Sequence, residues 1–229
     1  MARERDGGLI SGVIGVACAE LGRFSQFSEC LANLVKPEGT VVKFEVGIDV
    51  AVNRRNVVRF ALENEHDWVF FVDDDMLFSP DHLLQLLSHD QPVVASLYLN
   101  RKPPFYPVAY NRRFVRENGD PAWNPVDLEG APAFGLADIV AAGTGGLLVR
   151  SVVFEALEYD SWFKRDGAGE DMSFCHRVVE AGVPLYLDLA ARMGHISTYS
   201  VWPMKAETWT AGIGLTKEHM LAVELGPVA

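Results

Sequence analysis

The sequence is poor in cysteine, in excess positive charge and in long apolar runs, and each shortage removes a class of protein. Its three cysteines, Cys18, Cys30 and Cys175, are odd in number, far apart and never arranged as Cys-x-x-Cys. That offers neither a disulfide framework nor a zinc knuckle, and reduced core thiols are expected. Twenty Lys and Arg stand against 31 Asp and Glu, a formal charge of −11, so nucleic acid is not expected to be held by bulk electrostatics. No run approaches the roughly 18 apolar residues of a membrane helix. Residues Met1 to Gly7 mix both charges, and the apolar stretch after them is broken by Ser11, Gly12 and Gly15, which is not the layout of a secretory signal. A soluble cytoplasmic protein is expected, in a host cytoplasm if the chain is viral. Linkers are missing too: the 12 prolines and 20 glycines form no repeat or block, so residues 1–229 read as a single domain.

What is present is an alternation of strands and helices. Leu9 to Ala17 reads as a buried strand, Phe24 to Leu34 as a helix, Thr40 to Val46 as a strand and Asn53 to Glu63 as an amphipathic helix burying Val57, Val58, Ala61 and Leu62. Trp68 to Val72 is apolar at every position, the habit of a parallel strand covered on both faces. Ser79-Pro80-Asp81 predicts a helix start with Ser79 as N-cap, leading into His82 to Leu87; Pro92 to Leu99 is a fourth strand. From Asn100 to Ala137, Pro, Gly, Asn and aromatics predict a hairpin and long loops. A strand over Ile139 to Val149, interrupted by Gly143-Thr-Gly-Gly146, is followed by a helix over Val152 to Leu157. Met172 to Ala181 is a helix stopped by Gly182 and Pro184, and Leu185 to Leu187 a short strand. This order predicts an α/β sandwich with its ligand site at the carboxyl ends of the strands.

The chemistry concentrates at three places. Asp73-Asp74-Asp75 closes the apolar third strand; three adjacent carboxylates repel, and a hard divalent cation, Mg²⁺ or Mn²⁺, is an economical compensation. In an extended stretch Asp73 and Asp75 would share one face and Asp74 the other; a solvated acidic loop is the plain alternative. Glu170-Asp171, after the lead-in Gly167-Ala-Gly169, sits at a helix start, where it either caps the helix or meets a ligand as a proton acceptor. His195 follows the last strand, and beside a carboxylate-bound metal an imidazole could complete the ligand set. A fourth segment, Arg101 to Arg116, carries Arg101, Lys102, Arg112, Arg113 and Arg116 without an acid, interleaved with Phe105, Tyr106, Tyr110 and Phe114. It reads as an exposed hairpin covering its own aromatics, or as a grip on an anionic acceptor or the donor diphosphate.

In this order the motifs resemble the GT-A superfamily of nucleotide-sugar transferases, family-2-like enzymes and short phage-type relatives in particular, over residues 10 to 200. Asp49 to Asn56 looks like the Arg-Asn helix start before the DxD strand, Phe71 to Met76 like the DxD motif, and Gly143 to Arg150 like the glycine-containing strand walling the sugar site. Gly169 to Arg177 is similar to the Glu-Asp motif and its helix, and Gly194-His195 to a late metal-binding His. The resemblance implies a GT-A type, Rossmann-like α/β/α sandwich with a mostly parallel central sheet. It implies a nucleotide-binding half over about 8–100, an acceptor and sugar half over about 101–200, and a C-terminal segment over 201–229. It also implies a glycosyltransferase using Mn²⁺ or Mg²⁺ and a nucleotide-sugar donor such as a UDP-sugar. Metal ligands would be Asp73, Asp75 and His195; donor contacts Asp73, Asp74, Arg55, Asn56 and Gly145; acceptor contacts Arg101, Lys102 and Arg112. Asp171 would be the base in an inverting reaction, with Glu170 orienting acceptor or sugar. Retaining stereochemistry stays open, and the acceptor can be protein, glycan, small molecule or modified DNA. Two rival classes remain: another metal-dependent nucleotide enzyme, a nucleotidyltransferase or phosphohydrolase, and a non-catalytic sugar-nucleotide-binding module.

Overall fold

The computed structural model describes residues 11–18, 24–197, 200–216 and 219–225; Leu9 and Ile10, placed by sequence in the first strand, and the opening residues 1–7 lie outside them. The first half alternates as the periodicity dictates: β1 (Gly12–Cys18), α1 (Ser25–Asn33), β2 (Val41–Val46), α2 (Val50–Glu63), β3 (Trp68–Asp73), β4 (Met76–Leu77), α3 (His82–Ser88) and β5 (Val93–Leu97). Helix α2 starts three residues before the expected Asn53, because Asp49 caps it by accepting from the Ala51 amide at 2.9 Å. Helix α3 is not capped by Ser79 as expected. The Pro80 carbonyl is drawn off to the Val35 amide at 2.8 Å, and the helix begins only after Asp81.

The second half holds the expected hairpin, β6 (Ala109–Val115) with β7 (Pro121–Pro125), followed by β8 (Leu136–Asp138). The expected strand over Ile139 to Val149 is two strands in two sheets. β9 (Ala141–Ala142) pairs with β6, and β10 (Gly146–Arg150) enters the central sheet, with the glycine loop carrying the chain between them. Then come α4 (Ser151–Glu155), α5 (Glu170–Glu180), β11 (Tyr186–Arg192), β12 (Gly194–Ile196), β13 (Ser200–Lys205), β14 (Trp209–Thr216) and β15 (His219–Glu224). The last three strands, unassigned by the sequence reading, join β12 and β4 in an antiparallel sheet of order β15-β14-β13-β12-β4.

The central sheet runs β2-β1-β3-β10-β5-β11-β8. β1 is parallel to β2 and β3, and β11 to β5, while β10 is antiparallel to both β3 and β5 and β8 is antiparallel to β11. Five of the seven strands therefore point one way. β3 is parallel to only one of its neighbours; its all-apolar sequence reports cover on both faces, which helices supply whatever the direction of the strand beside it.

Alternate residues of β3 feed two cores. Val69 and Phe71 pack with Val57 of α2, Phe154 of α4 and Phe174 of α5. Trp68, Phe70 and Val72 pack with Phe27 of α1 and Leu83 and Leu86 of α3. The result is an α/β/α sandwich in which each such side chain contributes about 1.5–3 kcal/mol by leaving water. Gly12 is required beside it, since a Cβ there would overlap the Trp68 indole. Among the described residues no helix is long and apolar enough to cross a membrane.

Candidate active site at the end of the third strand

Asp73 is the last residue of β3, and strand alternation turns it, like Val69 and Phe71, toward the α2 and α5 face. It meets Arg54 there, which lies three and four residues before Val57 and Val58 on the buried stripe of α2. The Arg54 guanidinium donates through Nη2 to Asp73 Oδ1 at 2.8 Å and through Nη1 to Glu170 Oε1. Burial disfavours its charge, but Asp73, Glu170 and Asp171 together hold it above the ordinary arginine value. One guanidinium thus ties the end of β3 to the first turn of α5 across α2. Arg165 flanks the junction, 3.6 Å from Glu170 Oε2 and 3.5 Å from the capping Asp49. Buried Asn53 locks α2 to the ends of β1 and β2 by donating to the carbonyls of Cys18 and Gly47 at 3.4 and 3.1 Å.

The triplet does not stay extended. The strand stops at Asp73, and Asp74-Asp75 turns into β4, so the expected split of faces gives way to one in which all three carboxylates line a single pocket of about 210 Å³ with Cys18, Gly47 and Arg54. Burial, then the charges of Asp75 and Asp73, raise the Asp74 carboxyl above the usual range. Asp75 Oδ2 accepts from Arg101 Nη1 at 2.8 Å and lies 3.5 Å from His195 Nε2. Pairing of β12 with β4 sets His195 beside Met76, and the Asp75 carbonyl accepts from the Ile196 amide at 2.8 Å.

His195 Nδ1 lies 2.9 Å from the Leu99 carbonyl. A carbonyl can only accept, so the hydrogen-bond network assigns that nitrogen a proton and turns Nε2 toward the Asp75 carboxylate. A nitrogen donor oriented by a backbone carbonyl and a hard oxygen donor make a donor set that fits a divalent metal. Asp73, the third expected ligand, is turned to Arg54, and among the described residues no three His, Cys, Asp or Glu side chains form a ready metal-binding group.

Helix α5 begins at Glu170, two residues earlier than its apolar pattern suggested, with both acids in the first turn behind Gly169. Gly167 takes φ +71°, open to glycine at little cost, and a Cβ on Gly169 would come within 2.6 Å of Asp171 Oδ1. Glu170 is committed to Arg54. Asp171 accepts the Met172 amide at 2.8 Å; burial raises its carboxyl, Arg54 opposes the rise, and Glu170 and Asp73 add to it. Gly145 lies against the opposite wall: its amide donates to the Tyr98 hydroxyl at 3.2 Å, and a Cβ there would stand 3.4 Å from Asp73 Oδ2. Burial, then Asp73 and Asp171, push the Tyr98 hydroxyl well up, so it stays protonated, and its ring meets His195 edge-on at 5.5 Å.

Of the residues singled out by sequence, the structure brings Asp73, Asp74, Asp75, Gly145, Glu170, Asp171, His195 and Arg101 to this strand end. Arg55 is half-buried one residue off the Arg54 stripe, and Asn56 donates to Glu45 on β2 at 3.1 Å. Lys102 is exposed beside Arg101, and Arg112 is exposed on the β6–β7 hairpin. Arg54, Tyr98 and Arg165 were not read from the sequence. Arg54 was findable, because the stripe of Val57, Val58 and Ala61 extends back to position 54 at helical spacing.

No protein-family model and no curated protein matches the sequence. Its backbone is similar to the crystal structure of A197 from STIV, at 14% identity and TM-score 0.60 over 93% of this chain and 97% of that one. It is also similar to GalNAc-T7 crystallised with UDP, GalNAc and Mn²⁺, at 12% identity and TM-score 0.55 over 84% of this chain. The chain spans 45% of the length of that transferase. At such identities the likeness carries the fold alone, and the fold is of GT-A type.

Proposed function

We propose that this chain is a metal-dependent glycosyltransferase that moves a sugar from a nucleotide-sugar donor to an acceptor hydroxyl, with residues 1–229 acting as one unit. The observation that carries the reading is the Arg54 bridge, which sets Asp73, at the end of β3, and Glu170-Asp171, at the head of α5, around one guanidinium. Asp75 and His195 would hold Mn²⁺ or Mg²⁺, which when bound neutralises a donor diphosphate and stabilises the departing nucleotide. Asp73, held by Arg54 against Gly145, would orient the donor; Asp74 shares its pocket. Asp171 takes the proton from the acceptor hydroxyl as the acceptor oxygen bonds to the anomeric carbon and the sugar–phosphate bond breaks toward the nucleotide. Burial suits Asp171 to this, since a raised carboxyl is a stronger base. Glu170 positions rather than reacts. Arg101, already on Asp75, is placed to move to phosphate, whereas Lys102 and Arg112 would meet the acceptor from outside. A binding module without turnover is the second reading, favoured by the Arg101–Asp75 pair, which occupies an oxygen the metal would need.

The test is incubation with a panel of nucleotide sugars and Mn²⁺ or Mg²⁺, following nucleotide release with and without chelator. Chelator-sensitive release is expected. Asp75→Ala should abolish metal-dependent donor binding, and Asp171→Asn should spare binding while lowering turnover by a hundredfold or more. Donor binding without any release would leave the binding module, and no donor binding at all would falsify both readings.

A further inference from the structure

The acceptor side of the molecule carries a groove that none of the motifs explains. Two pockets, of about 370 and 280 Å³, lie end to end between the β6–β7 hairpin and the head of α5 and share Pro121, Trp123 and Ala168 as walls. The first is aromatic, with Arg116 as its one charged wall: Tyr106, Tyr110 and Trp123 face Gly169 and Met172, which flank Glu170-Asp171 in the chain. Tyr110 feels the Asp171 charge, and burial, then Tyr106 and Asp171, push its hydroxyl far up, so it is a neutral hydrogen-bonding group at any working pH. The second pocket is polar, and among the described residues its acids are paired while Arg113 is left without a carboxylate. Arg177 pairs with Asp166, His176 lies 3.4 Å from Glu180, and Arg113 sits 5.9 Å over the Trp123 ring.

Arg113 and Arg116 are two isolated cations beside Glu170-Asp171, which gives little to a polyanion, since that needs a row of unpaired cations along its phosphates. An extended peptide is disfavoured for another reason. β7 is the outer strand of its sheet and the edge such a peptide would join, but its first and last residues are Pro121 and Pro125, which have no N–H to donate. What the groove offers is flat aromatic faces beside hydroxyl-scale polar groups, together with a Trp123 Nε1–H that is buried and finds no acceptor among the described residues. A pyranose chain has the matching surface: C–H faces for the rings and hydroxyl groups for the polar wall. Pockets of this size each suit about one sugar ring.

We infer that the acceptor is a neutral glycan of at least two sugar units, its terminal ring on Tyr106, Tyr110 and Trp123 beside Asp171 and its next ring beyond Trp123 against Ser173 and His176. The inference rests on the glycosyltransferase reading and fixes its acceptor class. The test is binding of the full chain, with UDP and Mn²⁺ present, to an array of neutral, sialylated and sulfated glycans, their monosaccharides, and Ser/Thr peptides. Neutral glycans of two or more units should be retained at least tenfold better than their monosaccharides. Trp123→Ala should remove that advantage, and Ala168→Trp, which fills the shared wall from a half-buried position on a bend, should do so even if the first variant does not fold. Retention of peptides, of anionic glycans only, or of monosaccharides as tightly as longer chains would overturn the inference. So would retention of no glycan by protein that does bind a nucleotide sugar, a result that leaves the transferase reading intact. Failure to bind any nucleotide sugar would remove the reading on which the inference rests.

Discussion

The outer carboxylates of one triplet make two ion pairs of opposite character. Asp73 meets Arg54, whose side chain is 5% exposed, and Asp75 meets Arg101, whose side chain is 48% exposed. Two residues of chain separate a pair made by a buried arginine from an open one made by an exposed arginine. The pair on Arg54 is architecture: Arg54 also holds Glu170 from α5, so its loss leaves Asp73 without its cation and Glu170 with only the exposed Arg165. The open pair is replaceable, because water and salt already compete for Arg101. The proposed transferase site, which would hold α5 still while admitting a charged donor, uses both kinds, and burial, not residue type, assigns which is which.

That contrast can be broken by measurement. Arg54→Ala should destabilise the fold by about 3–5 kcal/mol, read by urea denaturation; a loss as small as that of an exposed pair would show that the cluster is wetter than its burial implies. His82 offers a check on burial without an ion partner. It is sealed against Ser96 at 2.8 Å, and burial pushes its imidazole down to about 4 against an ordinary 6.5. Between those values the unfolded chain binds a proton that the native state refuses, so stability should be complete above pH 6.5 and fall as pH drops toward 4, by roughly 3 kcal/mol. Denaturation at pH 7 and 4.5 should show that slope in the parent and a shallower one in His82→Gln. Arg101→Ala should cost at most about 1 kcal/mol while freeing Asp75, so Mn²⁺ affinity by calorimetry should hold or rise; a fall would make Arg101 part of the metal site's support. Least of all, Arg112→Ala on the exposed hairpin should move stability by no more than about 0.5 kcal/mol.

Much of the first half was legible because its elements are amphipathic or wholly apolar at regular spacing: β1, β2, β3 and β5 appear where the pattern put them, with boundaries moved by caps such as Asp49, while the two-residue β4 was not read. The acids at the ends of β3 and ahead of Met172 were legible for the same reason, since each interrupts a strong apolar period. The direction of β10 was not, for a strand buried on both faces reads alike in either orientation. Nor were β13 to β15, where Pro203, Gly212 and Gly214 blur the alternation that marks a strand. The choice between Arg54 and Arg55 was a question of helical phase, and a hundred degrees of rotation decides which of two neighbouring arginines enters the site.

The sequence by itself determined that carboxylates end a buried strand and begin a helix, because apolar periodicity and local helix chemistry are written within a few residues. Only the tertiary structure decided their partners. Arg54 and Glu170 are 116 residues apart along the chain, and Asp75 reaches His195 through pairing between β4 and β12. Which charges share a guanidinium depends on how helices and strands pack across the sheet, and that packing is a property of the whole core.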